Sequence, residues 1–219
     1  MNIAILDCAI KRPSIMCFNR LVKHFNTPFT YHRPPIDNLK SLIDDQNAKA
    51  YIIFGSASNI EERLTWHKNL AHFIDEKLKE NKPVLGLCFG HQLMADFYGL
   101  NVVKNPCKQN LKGTRLVKFK ANHLGFKTGE EYSLFKAHSF QIEGESQNLS
   151  KIGSSEECSW DVLIHNKYPF LGFQTHPEAS MDFYENEILS NKVNISKTLL
   201  DKTLNDGLTI LEQFISSID

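Results

Sequence analysis

The sequence predicts an α/β fold: an open, mostly parallel twisted sheet with helices on both faces. Two observations predict it. Strand-like and helix-like stretches alternate from Asn2 to Gly99, and the strand-like ones are apolar throughout rather than on one side. That is how strands covered on both faces read. The second observation is the junction Gly86-Leu87-Cys88-Phe89-Gly90, where a buried-looking strand turns abruptly into a helix. A chain of 219 residues is ample for such a core: surface scaling gives roughly 10,300 Å² folded against roughly 36,000 Å² unfolded.

The elements follow in order. Asn2 to Leu6 reads as a first strand, and Asp7 within that apolar run, with no basic lead, argues against a signal peptide. Ser14 to His24 reads as a helix with Ile15, Phe18, Leu21, Val22 and Phe25 on one face. Three prolines between Thr27 and Pro35 mark a surface loop. Ile36 to Asp44 is a short helix and Ala50 to Phe54 a strand closed by Gly55. Ser58 and Glu61 match a capping box, heading a helix that runs to about Glu80. The strand Val84 to Leu87 and the helix Phe89 to Tyr98 follow, the helix stopped by Gly99.

Beyond Gly99 the pattern changes. Thr114 to Lys120 reads as an alternating, half-exposed strand, with Leu116 and Phe119 apolar and Lys118 and Lys120 polar. Ser139–Glu145, Lys151–Ser155, Asp161–His165 and Leu171–Gln174 are short strand candidates, forming a small antiparallel region. Glu178 to Leu189 and Lys197 to Ile218 read as helices, the second with a break near Gly207. Residues 1–219 form one domain on this reading, with 191–219 a helical extension packed on it, because so apolar a terminal helix needs cover. A partner or dimer surface is the alternative.

Composition narrows the function. Lys plus Arg and Asp plus Glu are 25 each, so net charge gives no reason to expect nucleic acid. Hydrophobic residues at 42% and charged residues at 23% exclude a disordered chain, and no apolar run approaches the ~20 residues of a membrane span. Five cysteines, an odd count at irregular spacing, point to a reducing, cytoplasmic setting. They and the nine histidines make no zinc-like spacing, so no metal site is expected.

The sharpest chemical feature is Cys88, with glycine two residues before and two after it. This is a nucleophile elbow with sulfur in place of oxygen. The turn lifts the sulfur above the sheet edge, and the helix starting there aims its positive end and free N–H groups at it. Both lower a thiol pKa and supply donors for an oxyanion. By itself, Gly-x-Cys-x-Gly fits a buried structural cysteine between packing glycines equally well. A general base tips the balance. His176 ends the apolar stretch Pro169–Gln174 and precedes Pro177 and Glu178, so Glu178 is placed to orient its ring. The alternative is an exposed histidine beside a capping glutamate.

Together, Pro83-Val84-Leu85-Gly86-Leu87-Cys88-Phe89-Gly90-His91-Gln92 and Gly172-Phe173-Gln174-Thr175-His176-Pro177-Glu178 closely resemble the class I, or triad, glutamine amidotransferases. The likeness covers roughly residues 3 to 190. Trp66 to Gly99 is most similar to standalone proteins related to the glutaminase domain of GMP synthase. The resemblance implies a flavodoxin-like sheet, with Cys88 as nucleophile, His176 as base and Glu178 as orienting acid. It further implies an oxyanion hole from the backbone N–H groups of Phe89 and Gly55. Gln92 and the segment Ala137-His138-Ser139-Phe140 would hold the glutamine, and Ser56 would border it. Two positions depart from the family. Gly55-Ser56-Ala57-Ser58 lacks the usual proline, which predicts a looser loop, and Thr175 replaces a bulky residue before His176.

The implied activity is hydrolysis of the side-chain amide of L-glutamine through a γ-glutamyl thioester, giving ammonia to a separate synthetase. A chain of 219 residues leads to the expectation that the synthetase is not fused to it. One alternative is hydrolysis or transfer on another γ-glutamyl compound, a peptide or amine, with the extra room sought at Lys11–Pro13 and Ser56–Ser58. Another is a catalytically silent binding or regulatory module. Cys8, Cys17, Cys107 and Cys158 have no paired base, His67 and His72 read as surface or boundary residues, and His91 as a packing residue turned away from the sulfur. Lys11, Arg12, Tyr31, His32 and Arg33 read equally as partner-facing or as ordinary loop residues.

Overall fold

The computed structural model describes residues 2–106 and 110–218; Cys107 lies outside them. In chain order, β1 (Asn2–Leu6) leads to α1 (Ile15–His24), β2 (Phe29–His32), the short helices α2 (Pro34–Asp37) and α3 (Lys40–Asp44), and β3 (Ala48–Ile53). Next come α4 (Thr65–Lys79), β4 (Val84–Leu87), α5 (Phe89–Phe97) and β5 (Asn101–Lys104). The strands β6 (Leu111–Phe119), β7 (Glu131–His138), β8 (Phe140–Glu143), β9 (Leu149–Ser154), β10 (Val162–His165) and β11 (Phe170–Phe173) follow. The chain closes with the single turn α6 (Met181–Phe183), a π-helical turn (Tyr184–Ile188), a 3₁₀ turn (Leu189–Asn191) and α7 (Lys197–Ile215).

One nine-stranded sheet, ordered β2-β1-β3-β4-β11-β10-β9-β6-β7, organises the chain. Pairings from β2 through β11 are parallel, and those from β11 to β7 are antiparallel. The antiparallel region thus extends the main sheet, and a separate ribbon pairs β5 with β8. Successive strand side chains point to opposite faces, which gives two cores. Leu6, Tyr51, Ile53 and Val84 pack with Leu42 of α3, Leu70 and Ile74 of α4 and Leu93 of α5. Ile5, Ile52, Leu85 and Phe173 pack on the other face with Leu21 of α1 and Ile210 and Phe214 of α7. The accessible surface is 10357 Å², close to the value that size predicts.

Several expectations are corrected. Thr27 to Pro35 is no loop: Phe29–His32 joins β1 as a parallel edge strand, and Pro34 and Pro35 start α2, where a missing N–H costs nothing. The expected helix Ile36–Asp44 is broken by positive φ at Asn38 and Leu39. Ser58 caps no helix, since α4 begins only at Thr65. Leu116 is exposed, because the inward side of β6 carries Gly113, Arg115, Val117 and Phe119. An inward arginine inverts the apparent phase of that strand. Strands β5 and β7 had no expectation at all. In β7, Ser133, Lys136 and His138 are buried and individually paired, which hides its hydrophobic pattern. Glu178 lies outside any helix, and the expected helix to Leu189 is three short turns instead. Finally, α7 runs unbroken through Gly207.

Helix α7 covers the end of β7. Ser133 N–H donates to Asp206 Oδ2 at 2.6 Å, and the Ser133 and Thr203 hydroxyls meet at 2.7 Å.

Candidate active site

The site forms where β4, β11, β7 and the loop after β3 end together. Cys88 lies between β4 and α5 with φ +46° and ψ −93°. A non-glycine residue there costs roughly 1–3 kcal/mol, strain held in place by its surroundings. Neighbouring glycines make the elbow possible: a Cβ at Gly86 would sit 2.8 Å from the Gly90 carbonyl, and one at Gly90 would sit 2.6 Å from Ile53 Cβ. The Cys88 N–H donates to Phe173 O at 2.7 Å, tying the elbow to the end of β11. Phe89 is the first residue of α5, where N–H groups have no intrahelical acceptor.

His176 stands three residues beyond β11, and its N–H donates to Phe135 O of β7 at 2.9 Å. Its Nδ1 meets Glu178 Oε1 at 2.8 Å, with both side chains buried. Nδ1–H donating to the carboxylate leaves Nε2 for chemistry, and Nε2 is buried without a hydrogen bond of ordinary geometry among the described residues. Burial drives this imidazole's pKa down, but the Glu178 and Cys88 charges and the polar contacts to both outweigh it and hold the ring well above its usual value. Gly55 brings the two halves together. A Cβ there would lie 2.7 Å from His176 Cε1 and 3.7 Å from Cys88 Cβ, so only glycine fits between them.

The Gly55–Ser58 loop is anchored rather than loose. Ser58 N–H donates to Ser56 Oγ at 3.0 Å, and Ser58 Oγ donates to Glu62 at 2.7 Å and contacts His67 Nε2 at 2.9 Å. Hydrogen bonds replace the absent proline. His67 is buried, not at the surface, and with Trp66 it packs against the Phe89 ring. Burial lowers its pKa.

Of the expected glutamine-holding residues, Gln92 and the 138–140 segment pack against each other. Gln92 Nε2 donates to Phe140 O and to Gln174 Oε1, both at 2.9 Å. Gln174 Nε2 in turn reaches Cys88 Sγ at 3.7 Å, and that sulfur lies 4.0 Å from Ala137 O. His138 contacts Phe140 O through Nδ1 and Arg115 through Nε2, each at 2.8 Å. Burial, with Arg115 adding, presses its pKa down to about 3. A neutral His138 with both nitrogens engaged shapes the segment and leaves any substrate contact to the backbone. The Ser139 carbonyl accepts from Asn105 N–H at 2.9 Å. Ser56 lines a cleft of about 390 Å³ that His176, Gly55 and Ala137 wall on the inside and Lys11, Arg12 and Pro13 on the outside.

Other residues escaped the sequence reading. Gln174 bridges Gln92 and the sulfur, and a polar residue closing an apolar strand was its signal. Phe183 lies against the His176 ring, centroids 4.7 Å apart, and Arg20 grips the turn after His176. Neither has a local sequence signal. Thr175 is fully buried. His91 is buried against Gly172, with its pKa pushed down to about 3 by burial, and it faces the sheet.

Comparison with known proteins is consistent with this arrangement. The profile of the family described as glutamine amidotransferase class-I matches residues 16–195. The glutamine-hydrolyzing GMP synthase subunit of Methanocaldococcus jannaschii is 30% identical over 118 residues, 54% of this chain and 62% of that protein. The chain therefore spans less than two thirds of that relative's length. The corresponding subunit from Thermoplasma volcanium is 29% identical over 157 residues, 71% of this chain and 75% of that one. Among solved structures, a glutamine amido transferase from Methylobacillus flagellatus superposes with a TM-score of 0.76 at 18% identity, covering 100% of this chain and 95% of the other. At that identity the likeness concerns the fold.

Proposed function

The chain belongs to the class I glutamine amidotransferase family, and from that premise we propose that it hydrolyses the side-chain amide of L-glutamine and passes ammonia to a separate synthetase. One observation carries the reading: Cys88 at a strained helix N-terminus shares a single glycine-sized gap at Gly55 with His176, which Glu178 orients at 2.8 Å.

The chemistry follows from the geometry. His176 holds the proton of the Cys88 thiol, leaving a thiolate. The sulfur attacks the amide carbon, and the carbonyl π electrons move to oxygen, facing the N–H groups of Phe89 and Gly55. His176 returns its proton to the leaving nitrogen, the C–N bond breaks, and ammonia departs from a γ-glutamyl thioester. Water then gives a proton to His176 and attacks the thioester. The C–S bond breaks and glutamate leaves. Glu178 keeps Nδ1–H turned towards itself, so Nε2 does the proton transfers. Cys88, His176 and Glu178 are the catalytic set, and Gln92, Ser56 and residues 138–140 shape the substrate side. No step calls for a metal or organic cofactor.

Among the described residues no helix is long and apolar enough to cross a membrane. A reducing cytoplasm suits Cys88, whose thiol is free. The 30% identity to a glutamine-hydrolyzing GMP synthase subunit supports a synthetase as the ammonia acceptor.

The cleft favours a second reading, a γ-glutamyl compound larger than glutamine. Its volume falls in the range of small-molecule sites. Its outer wall is pinned. Asp7 accepts the N–H groups of Ala9 (3.0 Å) and Ser14 (2.8 Å), Arg12 pairs with Asp182 at 2.6 Å, and Lys112 with Glu187 at 3.0 Å.

The test is release of ammonia and glutamate from L-glutamine by the purified protein, with Cys88→Ala as blank and an electrophilic glutamine analogue as mass label. Turnover lost in the variant is the expected result. Labelling of Cys88 without turnover shifts the weight to the larger γ-glutamyl substrate or to a required partner. Neither turnover nor labelling overturns the enzymatic reading in favour of a silent binding module.

A further inference from the structure

We infer that Arg20 is a positioning residue of the triad: from α1 it fixes the two carbonyls that bracket Glu178 and thereby sets where the carboxylate meets His176. Arg20 Nη1 donates to Pro177 O at 3.1 Å and to Ala179 O at 2.6 Å, and Nη2 donates to Leu204 O on α7. Three acceptors on two segments converge on one half-buried guanidinium. Its rigid planar fork suits this task, which a point-like ammonium cannot reproduce.

The turn needs such a clamp. Residues 174–180 belong to neither strand nor helix, and Pro177 has no N–H to give. Within the turn, Ala179 N–H donates to His176 O at 3.2 Å, and His176 N–H is spent on Phe135. That fixes His176 and leaves the Pro177 and Ala179 carbonyls to Arg20. Stripped of their donor, these buried carbonyls would be left unsatisfied at a cost in free energy, so the turn shifts when Arg20 is lost. Helix α7 presses from the same side: a Cβ at Gly207 would lie 2.5 Å from Pro177 O. Glu178 thus sits on a turn held from behind by α1 and α7, while its carboxylate faces forward to Nδ1 of His176.

The consequence is readable at His176. Among the described residues, the titratable and charged groups around this ring are Glu178 on its own turn, Cys88 at the elbow, His138 on β7, Cys17 and Arg20 on α1 behind Glu178, and, across the cleft, Lys11, Arg12, Lys112, Asp182 and Glu187. Burial pulls the imidazole down, and Glu178 is the first of the groups that hold it up. A Glu178 displaced from 2.8 Å holds it less, and the proton affinity of His176 falls.

The inference rests on the triad reading, so its test does not depend on turnover alone. In the full chain, the His176 imidazole is titrated by NMR, assigned by its loss in His176→Asn, for wild type, Arg20→Met and Arg20→Lys. Arg20→Met is expected to lower His176 proton affinity about tenfold, and Arg20→Lys by less. Glutamine kinetics form the second arm. Arg20→Met should cut kcat about tenfold with little change in KM, and cost almost nothing further in a Glu178→Gln background, as expected of two residues acting through one contact.

A folded Arg20→Met with an unshifted His176 titration overturns the inference. So does a kcat loss fully additive with Glu178→Gln, which would mark a merely structural role. Should Arg20→Met not fold, Arg20→Lys decides, and a wild-type titration there overturns the inference. A wild type neither active on glutamine nor labelled at Cys88, but with the expected titration shifts, sinks the glutaminase reading and leaves the positioning role standing.

Discussion

At the Cys88 elbow, nearly everything that makes the geometry lies within Gly86–Gly90: two glycines that let the strand fold back, a strained residue between them and the first N–H groups of α5. At His176 the opposite holds. The turn takes its shape from Phe135 on β7, Arg20 on α1, and Leu204 and Gly207 on α7. The two regions meet at Gly55, on a third segment, and where Phe173 O and Gln174 touch Cys88. The proposed nucleophile is thus a property of a short stretch of chain, while the proposed base is a property of the assembled fold. Damage far from the chemistry should reach the site through the histidine side and spare the sulfur.

The largest effect tests the elbow. Cys88→Ser should lower glutamine turnover by about 10⁴-fold or more while the thermal unfolding transition stays in place. Retained turnover would break the assignment of the nucleophile. Gly55→Ala tests the joint. Its methyl would meet His176 Cε1 at 2.7 Å, so either the ring or the loop must move. A fall in kcat of about 10²-fold is expected from the misalignment, with alkylation of Cys88 by the glutamine analogue persisting.

Glu178→Gln should be milder than His176→Asn, since the base remains. Its signature is the pH profile. Burial lowers the His176 pKa and the Glu178 charge raises it, so the variant loses the protonated imidazole at lower pH. The basic limb of the kcat/KM profile should move down, and an unmoved limb would refute the orienting role. The smallest effect tests the scaffold. Gly207→Ala puts a methyl 2.5 Å from Pro177 O and should cost roughly 1–3 kcal/mol in urea unfolding, the usual range for overpacking. A modest kcat loss with unchanged Cys88 labelling would show that the damage travels by the histidine side.

The same contrast explains what could be read in advance. The central parallel strands were legible because they are buried on both faces and apolar, as in Ala4–Leu6 and Ile52–Phe54, whereas the half-exposed edge strand β2 was not. In the antiparallel half β9 and β10 were legible too, but the phase of β6 and the existence of β7 were not. There β6 hides Arg115 and β7 hides Lys136 and His138, each paired with a distant partner: Asp161, Glu157 and Arg115. Those pairings invert or blank the periodicity. Ser58 misled for the same reason, since its hydroxyl is used by His67, nine residues away, and not by a helix end. The segment after Glu178 looked helical by pattern. The chain instead caps a single turn with Ser180 and brings Phe183 against His176.

By itself the sequence determined the α/β class and the strand-to-helix elbow and singled out Cys88, His176 and Glu178 as the proposed triad, because each is written in contiguous residues whose local sterics or motif leave few options. Only the tertiary structure decided that Gly55 is the gap they share, that Gln174 bridges Gln92 to the sulfur, and that Arg20 and α7 brace the histidine turn. Those contacts join residues from about 30 to 180 positions apart. Their geometry is set by sheet order and helix packing, which no local pattern encodes.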